Sequence, residues 1–338
     1  MSKSSPIRLP AQAIEQTLFA ILQRRQFTDE NARLLAKTFT DNSLDGVYTH
    51  GLNRFPRFID LVDRGHVKVG ERAECSGTFG GVEQWDGRLG AGILNAVQAT
   101  ERAMALAADN GIGCVGMANT NHWMRGGTYG WQAARANYIF IGWTNTIANM
   151  PAWGALDSRL GNNPLVLAVP YQDEAIVLDM AQSQFSYGAM ESAQRQGRLL
   201  PVAGGYDESG QLTRDPAAVL QSQRALPVGY WKGSGLSLLL DILAVLLSGG
   251  RSTADISRQG EEFGVSQVFI AIDTAKLSSG NELNRIVSGI IDDYRQSQPV
   301  DPQGTLRYPG EGALARRVEN QREGIPVDAG IWAEIQAL

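Results

Sequence analysis

Hydrophobic residues recur at helical spacing through the first 65 residues of the chain. A first helix carries its apolar face over residues 13–22. Thr28 is a suitable N-cap for a second helix, which Gly46 can end. A third helix is predicted to start near Asn53 and to end before Gly65. The chain is therefore expected to begin with a helical layer.

From about residue 75 the pattern changes, and short apolar runs alternate with helical stretches. Strands are predicted at residues 112–117, 138–143, 165–170, 175–180 and 267–272. Helices are predicted at 91–109, 188–196, 235–248 and 282–296, and again at 313–322 and 329–338. The turn-rich segment 204–210 predicts a surface hairpin. Together these elements predict a central α/β region with a helical layer built from both termini.

Composition and charge narrow the possible functions. With 338 residues, 43% of them hydrophobic and 19% charged, the chain has the balance of a globular protein. A net charge of −5 without a basic run excludes the footprint of a nucleic-acid-binding protein. The apolar stretch 236–247 is interrupted by Asp241 and is shorter than the roughly 20 residues of a bilayer span. With Cys75 and Cys114 as its only cysteines, the chain is expected to be cytoplasmic, with no nucleic-acid or membrane partner.

Two glycine-rich segments are candidates for binding a cofactor phosphate. Residues 111–116 match G-x-G-x-x-G, but a predicted helix ends at Gly111 and a strand follows. The dinucleotide fingerprint needs the reverse order, so Gly111 is interpreted as a helix C-cap. Residues 229–235 lead into a helix whose N-terminus would face an anion. Lys232 adds a positive charge and Trp231 a stacking surface, although a capped loop with an exposed lysine explains this pattern equally well.

Histidine is scarce, and the chain contains only His50, His66 and His122. An imidazole that titrates near neutrality suits a general acid or base. His50 precedes Arg54, and a proton donor beside an arginine suits a carbonyl substrate that carries a carboxylate. His122 and Arg125 follow a predicted strand, at a turn where α/β proteins commonly form sites. The structural alternatives are a histidine hydrogen-bonded at a helix entrance and a packed turn after the strand.

Several sequence motifs occur together and in a known order. They are Thr49-His50-Gly51 with Asn53-Arg54-Phe55, Asn121-His122, Gly161-Asn162-Asn163-Pro164, Leu178-Asp179-Met180, Lys232-Gly233-Ser234-Gly235-Leu236 and Pro309-Gly310-Glu311. Through these motifs the chain resembles the malate/L-lactate dehydrogenase family of the second, non-Rossmann type. The resemblance covers essentially the whole chain, and several motifs in order are much more specific than any one of them.

The resemblance implies an NAD(P)H-dependent reductase that acts on a small 2-oxo acid and works as a homodimer. It favours NADH and leaves NADPH open. The implied fold is α/β of the α+β type, the L-sulfolactate dehydrogenase-like fold with a mainly antiparallel sheet, rather than a Rossmann fold. The expected organisation is a discontinuous helical domain, 1–120 with 285–338, for substrate binding and dimerisation. The NAD(P)-binding domain is expected at 121–284.

The functional residues of the family carry over onto individual positions of this chain. The catalytic histidine falls on His50, as proton donor to the substrate carbonyl. We expect Arg54, His122 and Arg125 to orient the carboxylate and hydroxyl groups of the substrate. The expected cofactor contacts are Ala175, Ile176, Val177, Leu178, Asp179, Met180, Ala181, Trp231, Lys232, Gly310, Glu311 and Gly312.

Other functions stay open at the level of sequence. The same scaffold serves malate, lactate, ureidoglycolate and imino-acid dehydrogenases, and the residues do not rank these substrates. A nucleotide-binding regulatory protein without chemistry is the alternative from another class, and the presence of His50, Arg54 and His122 argues against it. Neither H-E-x-x-H spacing nor a G-x-S-x-G elbow occurs, so no metal site and no serine hydrolase is predicted.

Overall fold

The structure is a computed structural model and describes residues 7–338. Its helices are α1 Ala11–Arg24, α2 Asp29–Leu44, α3 Phe55–Asp63, α4 Gly92–Asn110, α5 Gly127–Arg135, α6 Tyr187–Arg195, α7 Pro216–Ser222, α8 Trp231–Ser248, α9 Thr253–Arg258, α10 Gly280–Arg295, α11 Glu311–Glu323 and α12 Ala329–Ala337. Its strands are β1 Ile7–Leu9, β2 Glu74–Phe79, β3 Val82–Asp86, β4 Ile112–Thr120, β5 Tyr138–Thr144, β6 Met150–Pro151, β7 Ser158–Leu160, β8 Leu165–Tyr171, β9 Glu174–Met180, β10 Gly205–Tyr206, β11 Leu212–Thr213, β12 Val265–Asp273 and β13 Ile325–Val327. Short 3-10 turns lie at Tyr48–His50, Leu52–Arg54 and Thr274–Lys276.

A seven-stranded sheet forms the centre of the fold, in the order β2-β3-β4-β12-β5-β8-β9. Its neighbouring strands run antiparallel, except that β3 and β4 are parallel and are joined through α4. All five strands predicted from the sequence belong to this sheet. The prediction omits the edge strand β2 and its neighbour β3. The residues of β2 are almost all exposed and show no apolar alternation.

The predicted helical layer forms from both ends of the described chain. Helices α1 to α3 share one core with α12, and Leu18, Phe39 and Ile335 are fully buried in it. Strand β1 pairs with β13, which joins the two ends. The Thr28 hydroxyl accepts a hydrogen bond from the N–H of Asn31, as expected of an N-cap. The domain division near residue 120 stays a prediction, and the central sheet contains strands from both sides of that position.

The glycines of the G-x-G-x-x-G match, residues 111–116, lie where helices pack against the sheet. Gly111 ends α4 with φ +87° and donates its N–H to the Ala107 carbonyl, which confirms the C-cap interpretation. A Cβ at Gly113 would lie 2.2 Å from a backbone oxygen of α4, and one at Gly116 would lie 2.3 Å from the Leu247 oxygen of α8. These two positions of β4 face opposite sides of the sheet, so the glycines let both helices approach closely.

Helix α8 begins earlier than predicted. The sequence predicts its start at residue 235, after a glycine loop, whereas the structure starts the helix at Trp231. The preceding turn uses left-handed residues, Gly229 at φ +58° and Tyr230 at φ +62°. Gly233 lies inside the helix, where a Cβ would be 2.8 Å from the Gln182 oxygen. The glycine therefore serves close packing, and Lys232 stands in the first helical turn instead of a loop.

One side of α8 belongs to the core. Leu240 and Ala244 are buried there, and the Trp143 indole donates to the Leu240 oxygen at 3.0 Å. Asp241 accepts hydrogen bonds from Asn145 and from the N–H of Thr253. Within residues 7–338, α8 is the one helix long and apolar enough to cross a bilayer by length and composition. A core helix passes the same test, so a single such helix is weak support for a membrane span.

Candidate active site

Two histidines from distant parts of the chain stack on each other. His50 ends the first 3-10 turn, and His122 follows β4. Their ring centroids lie 5.7 Å apart, with an angle of 18° between the planes. The Nδ1 atom of His122 accepts the N–H of Met124 at 2.9 Å. The neutral His122 ring therefore carries its proton on Nε2.

The backbone at His50 is held by helix α2 and by the first turn of α5. Asn42 donates its amide to the His50 carbonyl at 2.9 Å, and the Thr128 hydroxyl donates to the Asn42 Oδ1 atom at 2.9 Å. A Cβ at Gly51 would lie 2.1 Å from the Ser43 hydroxyl oxygen. The Ser43 hydroxyl oxygen accepts the N–H of Leu52, so the absence of a side chain at Gly51 keeps the turn close to α2.

Burial and positive charge keep both imidazoles neutral. Burial, then Arg54 and Arg125, lower the pKa of His50 to about 4. Burial, with Arg54, His50 and Arg57, holds the pKa of His122 well below its usual range. Without a bound anion, both rings are thus uncharged at neutral pH. Because arginine charges contribute to both shifts, an anion bound between the arginines and the rings would raise both pKa values.

Arg125 forms a buried ion pair that sequence reasoning missed. Its Nη1 atom contacts Asp45, and the two side chains are 8% and 10% exposed. Asp45 also binds Arg317 of α11. Along the chain Arg125 lies 80 residues and Arg317 lies 272 residues from Asp45, and no local pattern links them. Direct contact of Arg125 with a substrate stays a prediction, since its Nη1 atom already binds Asp45.

Strand β9 connects the histidines with the expected cofactor residues. The Asp179 carboxylate accepts the N–H of Gly127 at 2.7 Å, at the start of α5. Burial raises the pKa of Asp179, and the Gly127 hydrogen bond and the Arg125 charge oppose that rise. Asp179 thus fixes the strand to the loop that carries His122.

The three expected cofactor segments meet at β9. The N–H of Val177 donates to the Pro309 oxygen at 3.1 Å. A Cβ at Gly310, which has φ +94°, would lie 3.1 Å from the Trp131 ring, so the glycine allows this contact. Glu311 and Gly312 open α11, and Glu311 binds Arg295 at 2.9 Å. The chain after β9 reaches Gly233, beside Trp231 and Lys232 at the start of α8.

This arrangement fits a nicotinamide dinucleotide. Lys232 is exposed at a helix N-terminus and has no ion pair within residues 7–338, which suits a phosphate. The Trp231 indole is 66% exposed and offers a stacking surface. Gln182, which follows β9, is fully buried, and neither polar atom of its amide has a partner in the described chain. The residues present thus supply a cation, an aromatic surface and unsatisfied polar groups around one strand.

Comparison with known proteins decides the family. Residues 9–336 match the family described as malate/L-lactate dehydrogenase. The chain belongs to this family. A member, the 2,3-diketo-L-gulonate reductase of Salmonella paratyphi A, is 43% identical over 333 residues, which span 98% of this chain and 100% of that protein.

Solved structures of the family agree with the fold. The sulfolactate dehydrogenase of Methanocaldococcus jannaschii matches with a TM-score of 0.87 and 26% identity, over 97% of this chain and 95% of that one. The malate dehydrogenase of Pyrococcus horikoshii matches with a TM-score of 0.88 and 26% identity, over 97% and 93%. The expected sulfolactate dehydrogenase-like fold, without a Rossmann sheet, is confirmed. The chain is an oxidoreductase, as its named relatives are.

Proposed function

We propose that this member of the malate/L-lactate dehydrogenase family is an NADH-dependent 2,3-diketo-L-gulonate reductase. It reduces a ketone of that 2-oxo sugar acid to a hydroxyl group. The observation that carries the proposal is the stacked pair of His50 and His122 beside Arg54, in a chain 43% identical to such a reductase over 98% of its length.

His50 is the proposed proton donor. The nicotinamide, when bound, supplies the hydride. The substrate carboxylate binds beside Arg54, and its negative charge offsets the positive charges that lower the pKa of His50. The ring then takes up a proton and donates it to the carbonyl oxygen as negative charge develops there. The Nε2–H of His122 donates a hydrogen bond to a second substrate oxygen, and Arg125, held by Asp45, adds positive charge.

The cofactor residues have distinct proposed tasks. Lys232 and the N-terminus of α8 bind phosphate, and Trp231 stacks on a flat ring of the cofactor. The backbone of residues 175–181 and of Gly310 to Gly312 lines the rest of the site. The exposed position of Lys232 and the contact of Pro309 with β9 support this assignment. The preference for NADH over NADPH rests on the family resemblance.

The proposed assembly is a cytoplasmic homodimer. Leu239, Ile242, Leu243 and Leu246 of α8 are 43–69% exposed and form an apolar face on the side away from the sheet. Soluble proteins seldom leave such a face open to water, and a second copy of the chain would cover it. In the proposed division, residues 1–120 with 285–338 form the substrate and dimerisation domain, and residues 121–284 form the cofactor domain.

An activity assay tests the proposal. The purified protein is mixed with NADH and, in parallel, with 2,3-diketo-L-gulonate, pyruvate or oxaloacetate, and the absorbance of NADH is followed. We expect oxidation with a strong preference for the diketo sugar acid. Oxidation of NADH with pyruvate or oxaloacetate alone would overturn the proposed substrate but would agree with the proposed role of His50. No oxidation with any of the three, using NADH or NADPH, would overturn the proposed reaction.

A further inference from the structure

A second polar cavity lies at the carboxyl ends of the parallel strands β3 and β4. Its volume is about 330 Å³. Strand β3, helix α4 and strand β4 form a β–α–β unit, and ligands of α/β sheets bind outside the carboxyl ends of such strands. None of the residues assigned above to substrate or cofactor lines it. The lining residues are Lys68, Glu71, Asp86, Arg88, Leu89, Asn119 and Arg251.

Arg251 lines this cavity and carries an unsatisfied buried donor. Its Nη1 atom is buried and has no hydrogen-bond partner among residues 7–338. Gly264 makes room for the guanidinium, because a Cβ at this position would lie 2.0 Å from Nη1. Gly264 has φ +64°, so a side chain there would also strain the backbone. Leaving a buried charged donor unpaired is unfavourable, and an acceptor that enters the cavity would remove this cost.

Among the charged side chains that line the cavity are three cations, Lys68, Arg88 and Arg251, and two carboxylates, Glu71 and Asp86. Arg88 is neutralised by Glu71 at 2.8 Å and also contacts Glu74. Asp86 accepts hydrogen bonds from the backbone N–H of Arg88 and from the Asn119 amide. Lys68 is exposed and has no ion pair in the described part of the chain. Two cations without a partner, those of Lys68 and Arg251, therefore share the cavity.

The backbone that frames the cavity is strained. Arg88, Leu89 and Asn119 have φ values of +51°, +59° and +51°. The left-handed region is unfavourable for a bulky residue such as leucine, and such residues cluster at ligand clamps. Leu89 is held there because its N–H donates to the Asn119 oxygen at 2.7 Å and its own oxygen accepts the N–H of Lys68 at 2.8 Å.

From the unpaired guanidinium, the second free cation and the fixed frame, we propose that this cavity binds a small oxyanion. The planar guanidinium of Arg251 binds one edge of a carboxylate or phosphate, and Lys68 binds another oxygen from the exposed side. Asp86 accepts a hydrogen bond from a hydroxyl group of the ligand. Neither His50 nor His122 lines this cavity, and the proposed anion site does not depend on the reaction proposed above.

Calorimetric titration tests the site. Inorganic phosphate and, separately, malonate are titrated in chloride-free buffer into the wild type, Arg251→Gln, Lys68→Gln and the matched control Arg72→Gln. Arg72 is an exposed arginine near the cavity, with a 3.8 Å contact to Glu30. We expect about 10- to 100-fold weaker binding in Arg251→Gln and Lys68→Gln, as the loss of a hydrogen bond to a charged group predicts. The control should bind as the wild type does.

The outcomes separate the possible results. The ion that binds more tightly identifies phosphate or carboxylate as the source of the oxyanion. Equal affinity in all four proteins, or no binding of either ion at millimolar concentration, would overturn the site. If Arg251→Gln does not fold, Lys68→Gln decides, because Lys68 is exposed and its replacement leaves the core intact.

Discussion

The rings of His50 and His122 lie 5.7 Å apart, centroid to centroid, and are nearly parallel. Their surroundings differ, because the Nδ1 atom of His122 accepts the N–H of Met124 at 2.9 Å, whereas that of His50 lies 3.3 Å from the Thr49 hydroxyl oxygen. His122 is thus fixed as an Nε2–H donor, and His50 is freer to exchange a proton. This asymmetry gives the two rings different roles and leads to the first prediction.

Replacing His50 by glutamine should lower kcat by about 10²- to 10⁴-fold, the usual contribution of a general acid. The affinity for NADH should stay the same, because the expected cofactor residues lie at β9, α8 and α11. Steady-state assays and titration of NADH fluorescence measure the two quantities. The control is His66→Gln, since His66 stacks on Phe263 and has no part in the proposed reaction. Near-normal turnover of His50→Gln would remove His50 from the mechanism.

Folding stability should fall as the solution becomes acidic. The pKa of His50 is about 4 in the folded chain and near 6.5 when unfolded, so the unfolded state binds more protons between these values. The free energy of unfolding is at its full value well above pH 6.5, and protonation of His50 in the unfolded state lowers it by about 2 kcal/mol at pH 5. His122 acts in the same direction.

Urea unfolding at pH 7.5, 6 and 5 measures this effect. The variant His50→Gln should show a smaller loss of stability on acidification than the wild type, by about 2 kcal/mol at pH 5. Parallel pH profiles of the two proteins would contradict the lowered pKa of His50.

Replacing Asp45 by asparagine should destabilise the fold by about 3 kcal/mol, because the buried Arg125 charge would lose its partner. Without Asp45 the Arg125 side chain is no longer held in place, so KM for the oxo acid should rise by a larger factor than kcat falls. Urea unfolding and steady-state kinetics check both effects. The matched control is Asp157→Asn, which breaks an exposed ion pair with Arg159 and should leave stability unchanged. Equal effects of the two substitutions would refute the positioning role of Asp45.

Replacing Gly116 by alanine should separate α8 from the sheet. The new Cβ would lie 2.3 Å from the Leu247 oxygen, and this backbone atom moves only with the helix. We expect a loss of about 1–3 kcal/mol in urea unfolding, typical of overpacking. Gly289→Ala is the control, because its Cβ meets open space inside α10 and should be stabilising by up to about 1 kcal/mol. A neutral Gly116→Ala would show that the close approach is not required.

Replacing Leu246 by glutamate should dissociate the proposed dimer. Leu246 is 69% exposed on the apolar face of α8, and a charge there would become buried at a subunit contact. Light scattering coupled to size exclusion should show twice the chain mass for the wild type and the single mass for the variant. Leu277→Glu is the control, because Leu277 is 60% exposed but lies outside α8. A monomeric wild type would overturn the dimer.

Much of the secondary structure was predictable because it depends on local patterns. The five predicted strands and the long helices match the structure closely, because the spacing of residue types that predicts them is local. The exception at α8 is instructive. Trp231 to Gly235 resembles a loop by its glycines, but Gly233 is required by contacts with Val228 and Gln182, outside the helix. Local propensity gave way there to packing.

The candidate site divides in the same way. The motifs around His50, His122, Lys232 and Gly310 are visible in the sequence. The fold stacks His50 on His122 and places the Gly310 segment against β9. The ion pair of Arg125 with Asp45 has no local signal, because its members are 80 residues apart. The contact of Arg251 with Gly264 has no local signal either. Arg251 follows the end of α8 and Gly264 precedes β12, so the packing of these two elements sets the contact.

The sequence by itself determined the family, the order of the long helices and of five strands of the central sheet, and the side chains suited to proton transfer, because these depend on residue type and spacing along the chain. Only the tertiary structure decided the stacking of His50 on His122, the lowered pKa of both and the second cavity. Burial and charge act through space, and His50 and His122 share an environment only after α2 and β4 have packed into one molecule.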